Sequence, residues 1–167
     1  MQLSSINRPS WPHFRDSQRR LAETIPFTGM AVSSDVGDSL DVHPKNKRPV
    51  GERLAKVALH NTYGFAIEHS GPTLRSMEVK GKKVVLEFDH AKGLTTSDGR
   101  EVIGFEVAAD DKVYYEATAE IKNDKVVLKF NADITPKYVR YAWRPFTRAN
   151  LINGNALPAS TFEFKNE

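Results

Sequence analysis

With 167 residues and a net charge of +3 from 24 Lys and Arg against 21 Asp and Glu, the chain has room for one domain of ordinary size, or for a smaller domain plus a piece of another. The basic excess is small and scattered, which argues against a nucleic-acid partner: "KNKR" at 45–48 and "GKK" at 81–83 read as a solvated helix start and a hairpin turn. Cysteine is absent, so disulfides, Cys-ligated zinc and thiol nucleophiles are excluded together, and no apolar stretch approaches the ~20 residues that span a bilayer.

"MQLSSINRPSWPHF" lacks the apolar centre of a signal peptide, so any export signal would lie upstream of it. The first helix follows. Trp11, Phe14, Gln18, Leu21, Ala22 and Ile25 recur at spacings of three and four, with Ser10 as N-cap, Pro12 in the first turn and Pro26 as stop. "GMAVSSDV" (29–36) reads as a strand, and Pro49 through Tyr63, with Val50, Leu54, Val57 and Ala58 on one face, as a second helix stopped at Gly64. Helix, strand, loop, helix is the local order of an α/β layer, which assigns 1–70 to a partial α/β segment.

From residue 71 the period changes to two. "SMEVKGKKVVLEF" (76–88) predicts a hairpin about Gly81 with Val84, Leu86 and Phe88 on one face. "YYEATAEIKNDKVVLKF" (114–130) repeats the device about Asn123-Asp124. "FEVAA" (105–109), "KYVRYAW" (137–143) and "TFEF" (161–164) are further strands. The set predicts an antiparallel β-sandwich over 71–167, with "NLINGNALPAS" (150–160) as a long ordered loop that docks it onto the α/β segment. One strand and two helices leave the first 70 residues with an unpaired sheet, so the apolar face of Trp11, Phe14, Leu21, Val50, Leu54 and Val57 calls for a covering polypeptide or for self-association.

The chemistry concentrates in "GDSLDVHPKNK" (37–47). His43 stands two residues after Asp41 at the exit of the predicted strand, where α/β folds place functional loops, and a carboxylate there can fix the imidazole tautomer and stabilise its protonated form. The alternative is a loop histidine beside Pro44 at a helix start. Ser39 has the Gly-Asp-Ser-Leu letters of an esterase nucleophile, yet four residues from His43 in one loop it would have to fold back on its own base, so those letters read as accidental. His13, His60 and His69 show no metal-ligand spacing. Asp35, Asp38 and Asp41 lack the ligand pattern of a calcium loop, and neither a metal nor another cofactor is called for. Tyr141 and Trp143 could stack on a sugar while Arg140 or Arg144 meets a sugar carboxylate. The reading preferred for Val139, Tyr141 and Trp143 is core packing with the arginines outward.

These segments resemble a known family. Trp11, Arg15 and Gln18, then Thr28 to Val32, Asp41-Val42-His43-Pro44, Lys47 and Gly51 are similar to the last part of the catalytic domain of the sialate O-acetylesterase family within the SGNH hydrolases. "GPTLRSMEV", "GFEVAADD", "VRYAW" and "ALPAS" resemble its C-terminal β-domain. The resemblance implies a hydrolase that removes acetyl groups from sugar hydroxyls, typically of sialic acids, with His43 as general base and Asp41 as orienting acid. It also implies periplasmic or secreted placement. The wider superfamily usually has its acid three residues before the histidine, where Leu40 stands here, so Asp38 is a rival orienter. The Gly-x-Ser nucleophile block and the Gly and Asn blocks of the oxyanion hole do not occur in these residues. The chain is therefore expected to hold the His/Asp part of a site and to be inactive alone. The competing expectation is a non-catalytic module that binds glycan or a partner and keeps Asp41 and His43 as a relic.

Overall fold

The computed structural model describes Gln2, residues 4–41 and residues 43–166, so Val42 of the Asp-x-His-Pro motif lies outside the described residues. Two helices come first, α1 (Trp11–Thr24) and α2 (Arg48–Asn61), followed by nine strands: β1 (Thr73–Lys80), β2 (Lys83–Asp89), β3 (Thr95–Thr96), β4 (Val102–Ala108), β5 (Tyr115–Lys122), β6 (Lys125–Lys129), β7 (Tyr138–Tyr141), β8 (Leu151–Ile152) and β9 (Phe162–Lys165). Seven of these form one antiparallel sheet in the order β1-β2-β6-β5-β4-β7-β9, and β3 pairs with β8 beside it.

Both predicted hairpins are present, and each turns in two residues. Lys80 pairs with Lys83 across Gly81, and Lys122 with Lys125 across Asn123 and Asp124, whose φ values of 50° and 58° are those of the left-handed turn that suits twisted strands. Alternation sends Val84, Leu86 and Phe88 inward from β2 and Val126 and Leu128 from β6, where they meet Phe105, Val107, Val139, Tyr141 and Phe162 in one cluster.

The two-sheet sandwich expected for this region is replaced by one sheet that curls upon itself. Four strands separate β2 from β9 in the sheet order. At ~4.8 Å per strand a flat sheet would hold them about 24 Å apart. The rings of Phe88 and Phe162 nevertheless lie 6.2 Å apart, so the sheet wraps its apolar face inward in the manner of a barrel.

The N-terminal residues depart further from expectation. Residues 29–36 carry no strand: Ala31 to Ser34 are buried and run beside Gln2 and Ser5, then end in a 3-10 turn at Ser34–Val36. Among the described residues the two segments are joined by a main-chain bond from Gln2 N to Ala31 O at 2.7 Å and by side-chain bonds. Ser33 Oγ donates to Gln2 O, and Ser5 Oγ donates to Ser34 O at 2.8 Å. The α/β layer is accordingly absent among the described residues, and the assigned strands all follow residue 72.

Candidate active site

The loop that carries Asp38, Ser39, Asp41 and His43 leaves the 3-10 turn and runs to α2, anchored at both ends. At its start the backbone of Gly37 passes so close to Ser5 that a Cβ there would meet Ser5 N and O at 2.4 Å, which only glycine tolerates. Asn7 N then donates to Ser39 O at 3.3 Å. At the far end Arg53 of α2 forks onto both carboxylate oxygens of Asp35 at 2.7 Å and donates to Val32 O at 2.8 Å. This bidentate pair, unmarked in the sequence, fixes α2 against the segment from which the loop departs.

Within the loop Asp41 serves His43 twice. Its Oδ1 accepts the main-chain N–H of His43 at 2.8 Å and lies 3.0 Å from the ring Nδ1. The main-chain bond first, then the bond to the ring, hold the Asp41 carboxyl below the usual aspartate range; desolvation opposes them, and the charges of His43 and Lys45 add to them. Asp41 is thus ionised at neutral pH and sets the tautomer with Nδ1 protonated, which leaves Nε2 to accept a proton. The His43 side chain is 80% exposed.

Asp38 is engaged otherwise. Its Oδ1 accepts Leu40 N at 2.9 Å, an Asx turn that shapes the loop, and no hydrogen bond joins Asp38 to His43 among the described residues. Neither does one join the Ser39 hydroxyl to His43 there. Ser39 instead lines a shallow groove with Ile6, Arg8 and Leu40. The loop therefore brings together Asp41 and His43 and leaves Asp38 and Ser39 apart from them.

The β-domain is tied to α1 through a residue that sequence patterning does not single out as buried. Arg15, fully buried, donates to Thr161 Oγ1 at 2.8 Å and to the carbonyls of Ala142, Pro145 and Arg144 at 3.0, 3.0 and 2.6 Å. Burial lowers its pKa to about 10, and the guanidinium stays charged among these acceptors. The 150–160 loop adds a contact on the same side, Gln2 Nε2 to Ser160 Oγ at 2.6 Å. Helix α1 thus buries Pro12, Arg15 and Asp16, while Phe14 and Leu21 on its other side are each 53% exposed.

The "VRYAW" strand packs Val139 and Tyr141 into the core, where the Tyr141 hydroxyl accepts Leu151 N at 2.8 Å. Trp143 departs from the expected alternation: Ala142 takes φ 54°, and the indole leaves the core to meet His13 edge-on at 5.1 Å. Arg140 is held by Glu106 at 2.7 Å and lies 3.6 Å over the Tyr114 ring, and Arg144 by Glu116 at 2.9 Å. Both arginines are committed to carboxylates of the outer sheet face.

No family model and no curated protein matches the chain. A solved structure does. The chain is similar to XAC1771, a carbohydrate acetylesterase from Xanthomonas citri, with a TM-score of 0.90 and 37% sequence identity over 99% of the present chain. It spans 40% of the length of that protein.

Proposed function

We propose that this chain carries the base and orienting acid of a carbohydrate O-acetyl esterase whose serine and oxyanion donors are supplied by polypeptide outside these 167 residues. The observation that carries the reading is the Asp41–His43 pair, in which one carboxylate oxygen fixes both the backbone and the ring of an otherwise exposed histidine. The similarity to a carbohydrate acetylesterase supports the substrate class. The narrower substrate, O-acetyl groups of sialic acids, rests on the sequence resemblance.

In the proposed reaction His43 Nε2 takes the proton of a serine hydroxyl as the serine oxygen attacks the acetyl carbonyl. The tetrahedral intermediate collapses with transfer of that proton to the departing sugar oxygen, and an acetyl-enzyme remains. Water, deprotonated by the same Nε2, then attacks the acetyl group. Acetate leaves and the serine is reprotonated. Asp41 stays ionised throughout and stabilises the imidazolium.

The complementary polypeptide has a surface to cover. Phe14 and Leu21 of α1, Ile25 just after it, and Leu54 and Leu59 of α2 are between 37% and 53% exposed, apolar side chains of the kind that other protein covers. We assign the covering of these side chains to the rest of the catalytic domain. The test is complementation: the chain is assayed on an acetylated sugar alone and after co-expression with the part of the Xanthomonas citri esterase that it does not match. Activity only in the mixture, lost in His43→Ala, is expected. Full activity of the mixture with His43→Ala would sink the assignment and leave a binding module with a relic loop.

A further inference from the structure

Three imidazole rings run in continuous contact from the last turn of α2 to the β-domain. His60 of α2 stacks on His69 of the connecting segment with ring centroids 3.8 Å apart and planes 8° from parallel, and His69 meets His90, just past β2, edge-to-face at 5.3 Å. His60 Nδ1 lies 3.1 Å from Phe65 O, and His90 Nδ1 lies 2.7 Å from Glu68 Oε1, which also accepts the main-chain N–H groups of His69 and Ser70. His90 itself is held in a left-handed conformation, φ 55°, its carbonyl accepting from Asn153 Nδ2 at 2.9 Å. His69 and His90 wall a cavity of about 250 Å³ whose other charged lining groups are Arg19, Glu23 and Asp89.

We propose that this column of rings is a proton-sensing joint: neutral and stacked, it holds the end of α2 and residues 62–70 against the β-domain, and as it gathers protons below neutral pH it releases them.

The charge inventory around the column supports this. A proton on His69 would sit 3.8 Å from the His60 ring and 5.3 Å from the His90 ring, and among the described residues the carboxylate bonded to a ring of the column is Glu68, at His90. The carboxylates of the neighbouring cavity are already paired: Glu23 with Arg19 at 2.7 Å, and Asp89 with Arg75 at 3.3 Å. Like charges at this spacing repel more strongly where burial limits water. Burial first, then the charges of His60 and His90, hold the His69 ring below the usual imidazole range, while Glu68 opposes them. The sign follows. A histidine whose folded pKa is lowered contributes stability that is complete above its unfolded pKa of about 6.5 and is lost as the pH falls through the folded value. Opening stays local, because Arg53 bonds Asp35 and Arg15 bonds the Ala142 carbonyl away from the column, which hold the first half of α2 and α1 in place.

Hydrogen exchange on the whole chain tests the joint. The amides of residues 62–65 donate to Ala58, Leu59 and His60 carbonyls, so their exchange reports release of this segment. After correction for intrinsic rates, protection across 58–70 is expected to fall about tenfold or more between pH 7.5 and pH 5, with the β5–β6 hairpin unchanged. His69→Phe keeps a ring in the stack and removes its proton, so the drop is expected to vanish. If His69→Phe does not fold, His60→Phe is read in its place. Unchanged protection in the wild type, or an undiminished drop in the variant that folds, overturns the proposal.

Discussion

Arg15 and Thr161 lie 146 positions apart in the chain, yet the guanidinium Nε donates to the threonine hydroxyl at 2.8 Å at the centre of the contact between α1 and the β-domain. This contact inverts the usual logic of an amphipathic helix. The polar side of α1 turns inward on a buried arginine, and the apolar side is left outward.

Removing that arginine should be expensive. Arg15→Met leaves Thr161 Oγ1 and the carbonyls of Pro145 and Arg144 without the guanidinium donor, and Ala142 O with the 3.5 Å bond from Thr161 Oγ1, so chemical denaturation is expected to show a loss of about 2–4 kcal/mol. Arg15→Lys should recover little of it, since an ammonium cannot reach acceptors spread across a fork. Wild-type stability in Arg15→Lys would show that charge, not geometry, makes the contact.

The exposed side of α1 should behave in the opposite way. Phe14→Ser and Leu21→Ser are expected to change the stability of the chain by less than about 0.5 kcal/mol, because each side chain is already half in water. In the complementation experiment the same pair should weaken association with the partner polypeptide, measured by sedimentation. Unweakened association would remove this face from the proposed interface.

Core positions set the reference for both. Leu128 is fully buried in the main apolar cluster, so Leu128→Ala should cost about 3–5 kcal/mol by the same denaturation assay. A loss below about 1 kcal/mol would mean that the curled sheet is not closely packed there.

In the complemented enzyme the loop residues should separate by role. His43→Ala is expected to abolish nearly all activity, and Asp41→Asn to cost less, about 10²–10⁴-fold in kcat, because a misoriented imidazole still accepts a proton. Asp38→Asn should cost under about tenfold, as its carboxylate caps Leu40 N and makes no hydrogen bond to His43 among the described residues. Greater damage from Asp38→Asn than from Asp41→Asn would reassign the orienting acid.

How much of this was legible depended on whether the determinants were local. The hairpins at Gly81 and Asn123-Asp124 were readable because alternation and turn chemistry lie within a few residues of each other. The Asp41–His43 contact was readable for the same reason. Residues 29–36 misled because their apolar pattern announces burial, which Ala31 to Ser34 have, whereas a strand also needs a ladder partner, and among the described residues the main-chain bond beside them is Gln2 N to Ala31 O. Curling of the sheet was hidden, since alternation specifies an inward face and not whether that face meets a second sheet or itself. Arg15 was hidden because an arginine on the polar side of a helix reads as a solvated charge. Trp143 left the core for a backbone reason, the left-handed turn at Ala142, which an alanine gives no cause to expect.

The central claim is that His43 works on a serine from outside this chain, and locating the acetyl-enzyme tests it most directly. The complemented enzyme is quenched during turnover of an acetylated sugar, digested and mapped by mass spectrometry. The account predicts one acetylated serine, in the complementing polypeptide, whose labelling disappears in His43→Ala and persists in Ser39→Ala. Acetyl found on Ser39, with turnover lost in Ser39→Ala, would contradict it and make the nucleophile a residue of this loop.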